Sequence, residues 1–220
     1  MQTLVTGGAG FIGSNLVDAL LPLGHDVLVL DDFSSGNLAN VVSARDNGAV
    51  ITPLDIRDGV ALANAVRNAR PKGHVPVSRR KDVRKSVLES ALDARTNVED
   101  TITVLEAARL THARVINVST GGAIYGRTDV LPTPEHVEPV PQAPYGLSKY
   151  RAEQCVRLYA RLFCNTRRHR PPRQRLPIPA RSAWRGGGDR NLLWTCRVGP
   201  GPGRYTERGT RHATTFTWTT

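Results

Sequence analysis

Apolar positions along the first three quarters of the chain fall into short runs and helical stripes that follow one another in turn. Gln2 to Thr6 is a short apolar run, and Phe11 to Leu23 carries apolar residues at three- and four-residue spacing closed by Gly24, which predicts strand, tight turn and helix. Asp26 to Leu30 (DVLVL) reads as a second, buried strand ending in Asp31-Asp32, and Ala49 to Thr52 as a shorter third. Val60 to Ala69 reads as a helix after Asp58, Thr96 to Thr111 as a longer amphipathic helix, and Arg114 to Val118 (RVINV) as a strand. Pro141 to Pro144 marks a break, after which Tyr145 to Phe163 reads as one helix. Strands alternating with helices of this length predict βαβ units and an α/β fold on a doubly wound parallel sheet.

Two stretches depart from that pattern. Pro71 to Lys81 (PKGHVPVSRRK) stands where a fourth buried strand is due, yet it has no apolar run, so it reads as aberrant and leaves the sheet incomplete. From Cys164 onward Arg, Gly, Pro and Thr dominate, and such a segment buries too little apolar surface to offset its ordering entropy. Charge divides the chain at the same place. Of 30 Lys+Arg and 19 Asp+Glu, residues 1–163 hold 18 and 17, and residues 164–220 hold 12 and 2, so +10 of the net +11 sits in the tail. The organisation expected is a domain over 1–163, with 71–81 irregular, and an irregular or disordered Arg-rich basic tail over 164–220 in place of a second domain. The tail has few aromatics and no known nucleic-acid module, so it reads as solvated sooner than as a nucleic-acid arm. Cys155, Cys164 and Cys196 offer no close pair, against a disulfide framework or a metal knuckle and in favour of a reducing, cytoplasmic setting. No apolar run approaches the roughly 18 residues of a membrane span, and the N-terminus enters a strand with no leader-type segment.

The chemistry begins at Gly7-Gly8-Ala9-Gly10-Phe11-Ile12-Gly13, a G-x-x-G-x-x-G between a strand and a helix. There Gly7 permits the turn, Gly10 lets the backbone approach a pyrophosphate and Gly13 lets helix and strand pack closely, the signature of a Rossmann-type dinucleotide site. The anion belongs on the helix N-terminus. Asp31, about 18 residues beyond the last glycine, is placed to accept hydrogen bonds from the adenosine ribose; its charge repels a 2′-phosphate, so NAD is expected over NADP. Asp55-Ile56, after the third strand, is placed to meet the adenine.

Tyr145-Gly146-Leu147-Ser148-Lys149 puts a phenol and an ammonium four residues apart on one helix face. A neighbouring cation lowers a phenol's pKa, so Tyr145 is a candidate general base, with Lys149 also within reach of the nicotinamide ribose. In Ser119-Thr120-Gly121-Gly122 a strand ends in hydroxyls that can share a reacting oxygen with Tyr145.

These motifs, with Asp32, Phe33-Ser34-Ser35-Gly36, Asp82-Val83-Arg84-Lys85-Ser86-Val87 and Asn97, resemble the extended short-chain dehydrogenases/reductases of the NAD-dependent epimerase/dehydratase family, and most of all its UDP-glucose 4-epimerases, over residues 1–70 and 82–163. The resemblance implies cofactor contacts from Gly7, Gly10, Phe11, Ile12, Gly13, Asp31, Asp32, Phe33, Ser34, Gly36, Asp55, Ile56, Asn97, Tyr145 and Lys149, and catalysis by Tyr145 and Lys149 with Thr120 or Ser119. It implies a UDP-hexose substrate inverted at C4 through a 4-keto intermediate, with NAD as a retained cofactor, no metal, and a homodimer through the helices at 96–111 and 145–163. A dehydratase needs an acidic pair just after the catalytic hydroxyl, where Gly121-Gly122 stand; decarboxylases and reductases of the family, and a non-catalytic NAD-binding fragment, stay open. Family motifs expected beyond Phe163 are not legible. Read out of frame, His212 to Thr220 permits R-D-Y-V-H-V-D-D and Pro171 to Leu176 permits R-L-A-N-V-Y, which suggests a frame-shifted tail and a truncated enzyme.

Overall fold

The computed structural model describes residues 1–77, 83–129, 133–134 and 136–163, and the backbone of 193–197 and 215–216. Asp82 and Pro171 to Leu176 lie outside the described residues, as does His212 to Thr220 apart from the backbone of 215–216. Five parallel strands form the centre: β1 (Gln2–Thr6), β2 (Asp26–Asp31), β3 (Val50–Pro53), β4 (Gly73–Pro76) and β5 (Arg114–Val118), in the order β3-β2-β1-β4-β5. The chain runs outward from β1 to β3, then crosses back to β4, so the order reverses between β1 and β4. A crevice therefore opens beyond the carboxyl ends of these two strands.

Each element follows from its residues. α1 (Phe11–Leu20) closes in a 3₁₀ turn at Leu21–Leu23, which stops at Gly24 with φ 74°. α3 (Gly59–Ala69) starts at Asp58, whose side chain accepts from the Val60 and Ala61 amides. Successive residues of a strand face opposite sides of the sheet, so β1 supplies both cores. Val5, with Val27 and Val29, packs under Val17 and Leu20 of α1 and Ala44 of α2 (Val42–Asp46). Leu4, with Leu30 and Val115, packs under Leu62 and Val66 of α3, Val104 and Leu105 of α6 (Asp100–Arg109) and Val156 of α8 (Pro144–Phe163).

The region expected to be aberrant at 71–81 contains the missing strand. All four residues of β4 are buried, and the strand pairs with β1 on one side and β5 on the other. The sequence hides it because main-chain pairing carries the strand: Lys72 N donates to Gln2 O at 3.0 Å, Val77 N to Thr6 O at 2.8 Å, and Arg114 N to Lys72 O at 2.9 Å. Four residues, of which only Val75 is strongly apolar, suffice between two existing strands.

Four helices among the described residues escape the sequence pattern: α2, α4 (Val83–Leu88), α5 (Ser90–Ala94) and α7 (Gly121–Ile124). The helix read over 96–111 is α6 entered through a π-helical turn at Arg95–Glu99. Within the Arg-rich segment, β6 (Leu193–Arg197) runs antiparallel to β5 along its whole length, Val118 opposite Leu193 and Arg114 opposite Arg197, and β7 (Thr215–Phe216) pairs with β6. No helix among the described residues is long and apolar enough to cross a membrane.

Candidate active site

The glycine loop joins β1 to α1 at the crevice. Gly7 sits at φ 72° and its N–H donates to Leu30 O at 2.8 Å, binding the loop to β2. A methyl group on Gly13 would collide with the Gly7 carbonyl oxygen and stand 2.6 Å from the Gly8 Cα, so Gly13 is fixed by helix-on-strand packing. Gly10 differs: a methyl there meets only Gly7 O, at 3.3 Å. Nothing in the protein itself demands a glycine at position 10, which leaves room for an approaching ligand. Gly10 opens α1 with no side-chain cap, so the first-turn amides around Phe11 and Ile12 present the positive end of the helix to the crevice. The Phe11 ring is exposed.

Asp31, at the end of β2, is buried and does two structural tasks. Its Oδ2 accepts from Ala9 N at 2.9 Å and its Oδ1 from Phe33 N at 2.8 Å, so one carboxylate ties the glycine loop to the β2 loop. Each oxygen retains a second acceptor site for a ribose hydroxyl. Gly36 completes the seam, since a methyl there would stand 2.8 Å from Ala9 Cβ and 3.0 Å from Asp31 Oδ1. Asn40, not singled out in the sequence, donates to Ala9 O at 2.8 Å. Asp32 accepts from Ser34 N at 3.0 Å and Ser34 Oγ at 2.7 Å, an exposed turn beside Phe33 at φ 56°.

Asp55 is engaged by Arg57, whose Nε lies 2.9 Å and 2.8 Å from its two oxygens. The guanidinium's hydrogen bonds hold this carboxyl below the usual carboxylate range against a smaller opposing cost of desolvation. Ile56 is buried and packs in the core cluster with Leu62 and Val66.

On the other side of the crevice Tyr145 and Lys149 are both buried in the first turns of α8, with the Lys149 Nζ 6.0 Å from the centre of the Tyr145 ring. Lys149 Nζ donates to Val118 O at 3.0 Å, which anchors α8 to the end of β5 just before Ser119 and Thr120. Both hydroxyl residues are buried, and Ser119 Oγ has no hydrogen-bond partner. The glycine in Tyr-Gly-Leu-Ser-Lys now has a reason: a methyl on Gly146 would strike the Ala123 carbonyl oxygen and lie 3.1 Å from Pro141 Cβ, so α8 rides directly on α7. That contact seats the first turn of α8, which carries Tyr145, against α7, which Thr120 opens.

Asn97, on the π-helical turn, is fully buried; its Nδ2 donates to Asp93 O and Asp93 Oδ1, both at 3.1 Å, and its Oδ1 has no partner. Asp93, which the sequence reading does not single out, supports this side of the site together with Ser86 and Ser148, which enter that reading only as motif positions; their bonds to one another and to Tyr145 join residues distant along the chain. Tyr145 N donates to Ser86 Oγ at 3.2 Å, and Ser148 Oγ donates to Asp93 Oδ2 at 2.5 Å across 55 residues. Room at Gly10, an uncapped helix N-terminus, a carboxylate at Asp31 and an empty acceptor at Asn97 fit a dinucleotide lying across the crevice. No group of three or more His, Cys, Asp or Glu able to hold a metal occurs among the described residues.

Known proteins share this sequence pattern and fold. A UDP-glucose 4-epimerase of Mycolicibacterium smegmatis is 39% identical over 165 residues, 74% of this chain and 52% of the relative. The solved UDP-glucose 4-epimerase of Thermotoga maritima with UDP-glucose superposes with a TM-score of 0.69 at 39% identity, over 73% of this chain and 52% of that one. That of Thermus thermophilus, in complex with NAD, gives 0.66 at 34% identity over 73% and 51%. The chain thus spans about half the length of these relatives. The family model for NAD dependent epimerases/dehydratases matches residues 3–171, well over half of the sequence, and the chain belongs to that family.

Proposed function

We propose that the chain is an NAD-dependent UDP-hexose 4-epimerase that inverts C4 of UDP-glucose or UDP-galactose in the cytoplasm. The observation that carries this reading is the buried pair Tyr145 and Lys149, with Lys149 bonded to the Val118 carbonyl at the end of β5 just before Ser119 and Thr120, across the crevice from the glycine loop. The amides at the start of α1 would hold the pyrophosphate, Asp31 the adenosine ribose, and Lys149 the nicotinamide ribose. Bound there, NAD supplies a reversible two-electron acceptor for the sugar carbon. Tyr145, with its phenolate favoured by the neighbouring ammonium, takes the proton of the 4-hydroxyl as C4 becomes a ketone and returns it to the same oxygen after the sugar has turned over. Thr120 shares that oxygen by hydrogen bonding. Glycines at 121 and 122 leave no acid for a dehydratase's second proton transfer, which favours the epimerase over a dehydratase.

A second reading, an NAD-binding fragment without catalysis, is supported by the chain's covering only 52% of the Mycolicibacterium relative. A coupled assay of UDP-galactose conversion by the purified 220-residue chain with added NAD separates the two. Turnover that falls at least about a hundredfold in Tyr145→Phe, with NAD binding kept, supports the epimerase. NAD binding without turnover supports the fragment. The helices at 96–111 and 145–163 are the proposed homodimer surface, to be tested by sedimentation.

A further inference from the structure

We propose that Asp93 is a positioning residue: it fixes the orientation of the Asn97 amide, and with it the acceptor that Asn97 offers to a hydroxyl of the bound dinucleotide, while setting the first turn of the helix that carries Tyr145 and Lys149. The inference rests on the reading of the crevice as an NAD site. Asp93 is 5% exposed and lies four residues before Asn97, on the same helical face. Both of its side-chain oxygens serve as acceptors, and the two side chains that touch them present donors. One is Ser148 Oγ, at 2.5 Å; the other is Asn97 Nδ2, at 3.1 Å from Oδ1. The second proton of that amide goes to Asp93 O, also at 3.1 Å.

With both protons spent on Asp93, the amide cannot be turned around, and the Asn97 oxygen faces away as a fixed acceptor. It is fully buried and has no partner in the protein. Such a group is costly until a donor reaches it, and the donors of a dinucleotide in this crevice are its ribose hydroxyls. The other arm of Asp93 ends on Ser148, whose Oγ also lies 3.1 Å from Tyr145 O and which immediately precedes Lys149. With Ser86 holding Tyr145 N, the first turn of α8 is pinned from α4 and from α5.

The test begins on the full ¹⁵N-labelled chain without cofactor. In Asp93→Ala one of the two Asn97 side-chain amide protons is expected to exchange about tenfold faster, the other staying protected by the residue-93 carbonyl; unchanged exchange of both overturns the orientation claim. NAD titration follows, with Asp93→Ala and Asn97→Ala each weakening binding about tenfold, and the double variant falling well short of the combined roughly hundredfold, since only the Ser148 arm of Asp93 still acts once Asn97 is gone. Additive losses overturn the proposal, because Asp93 would then act independently of Asn97. A wild-type chain that binds no NAD defeats the cofactor reading instead, and the exchange measurement still decides the orientation of Asn97. If Asp93→Ala does not fold, Asp93→Ser, whose hydroxyl is too short to reach Asn97, carries the same readouts.

Discussion

At the scale of single residues, glycines in one loop answer to different demands, and the difference can be measured. Gly13 is excluded from carrying a methyl group by the Gly7 carbonyl oxygen and by Gly8 Cα at 2.6 Å, both main chain, so the loop itself would have to move. Gly10 meets only Gly7 O at 3.3 Å, at φ −77°, a conformation open to any residue. Gly13→Ala is therefore expected to lower stability by about 1–3 kcal/mol, the usual cost of forcing an atom into a packed region. Gly10→Ala is expected to cost under about 1 kcal/mol, a helix-opening preference, yet to weaken NAD binding strongly by blocking pyrophosphate approach. Thermal unfolding and NAD titration on both variants check the pair. Equal effects on the two readouts would mean that the loop is a structural turn and not a phosphate cradle.

Among the elements, α8 has the most to position, and α7 is what it rests on. Gly146→Ala pushes a methyl into the Ala123 carbonyl, which forces the first turn of α8, and Tyr145 with it, away from α7. The expected result is a fall in turnover of about a hundredfold, the scale associated with misplacement near 1 Å, with NAD affinity changed much less because the glycine loop is untouched. Steady-state kinetics beside NAD titration checks it. Further along, α8 is tied to α6: Tyr159 Oη donates to Glu106 at 2.6 Å, and Arg109 lies over the Phe163 ring at 3.9 Å. Burial, then the hydrogen bond to Glu106, push the Tyr159 phenol above the ordinary tyrosine value. A raised pKa contributes stability that is complete below the unfolded tyrosine value near 10 and is lost as the pH rises through the folded one. Urea unfolding at pH 7 and above pH 10 should therefore show a steeper alkaline loss in the wild type than in Tyr159→Phe, which should itself cost about 0.5–1.5 kcal/mol at pH 7.

The elements also mark what the sequence makes legible. β2 and β5 are apolar runs whose side chains decide their place, and they fall within a residue of their expected bounds. The glycine loop, Asp31 and the Tyr145–Lys149 pair are legible because each is a local spacing with one chemical use. β4 is hidden because its two neighbours decide it through main-chain bonds, and α7 because Gly-Gly-Ala-Ile carries no helical stripe. The Asp93–Ser148 bond, like the fit of Gly146 against Ala123, depends on residues that meet only once the sheet is formed.

For the whole molecule the open question is what residues 164–220 do for the sheet, because they carry both a strand and most of the charge. β6 covers β5 along five residues, and β5 leads directly to Ser119 and Thr120. Without β6, β5 becomes an edge strand with a free row of amides and carbonyls, a template for pairing with another chain. The same deletion takes +10 of the net +11 charge, leaving +1 and little electrostatic repulsion between molecules. Both effects act in one direction. A chain of residues 1–163 is expected to melt at a lower temperature than the full chain and to elute from gel filtration as larger species or precipitate at low ionic strength. Replacing the tail's arginines by glutamines in the full chain separates the causes, since it removes the charge and leaves the β6 ladder. If that variant stays well behaved while 1–163 aggregates, the strand is what the domain needs; if 1–163 melts and elutes as well as the full chain, the five parallel strands are sufficient and β6 is dispensable.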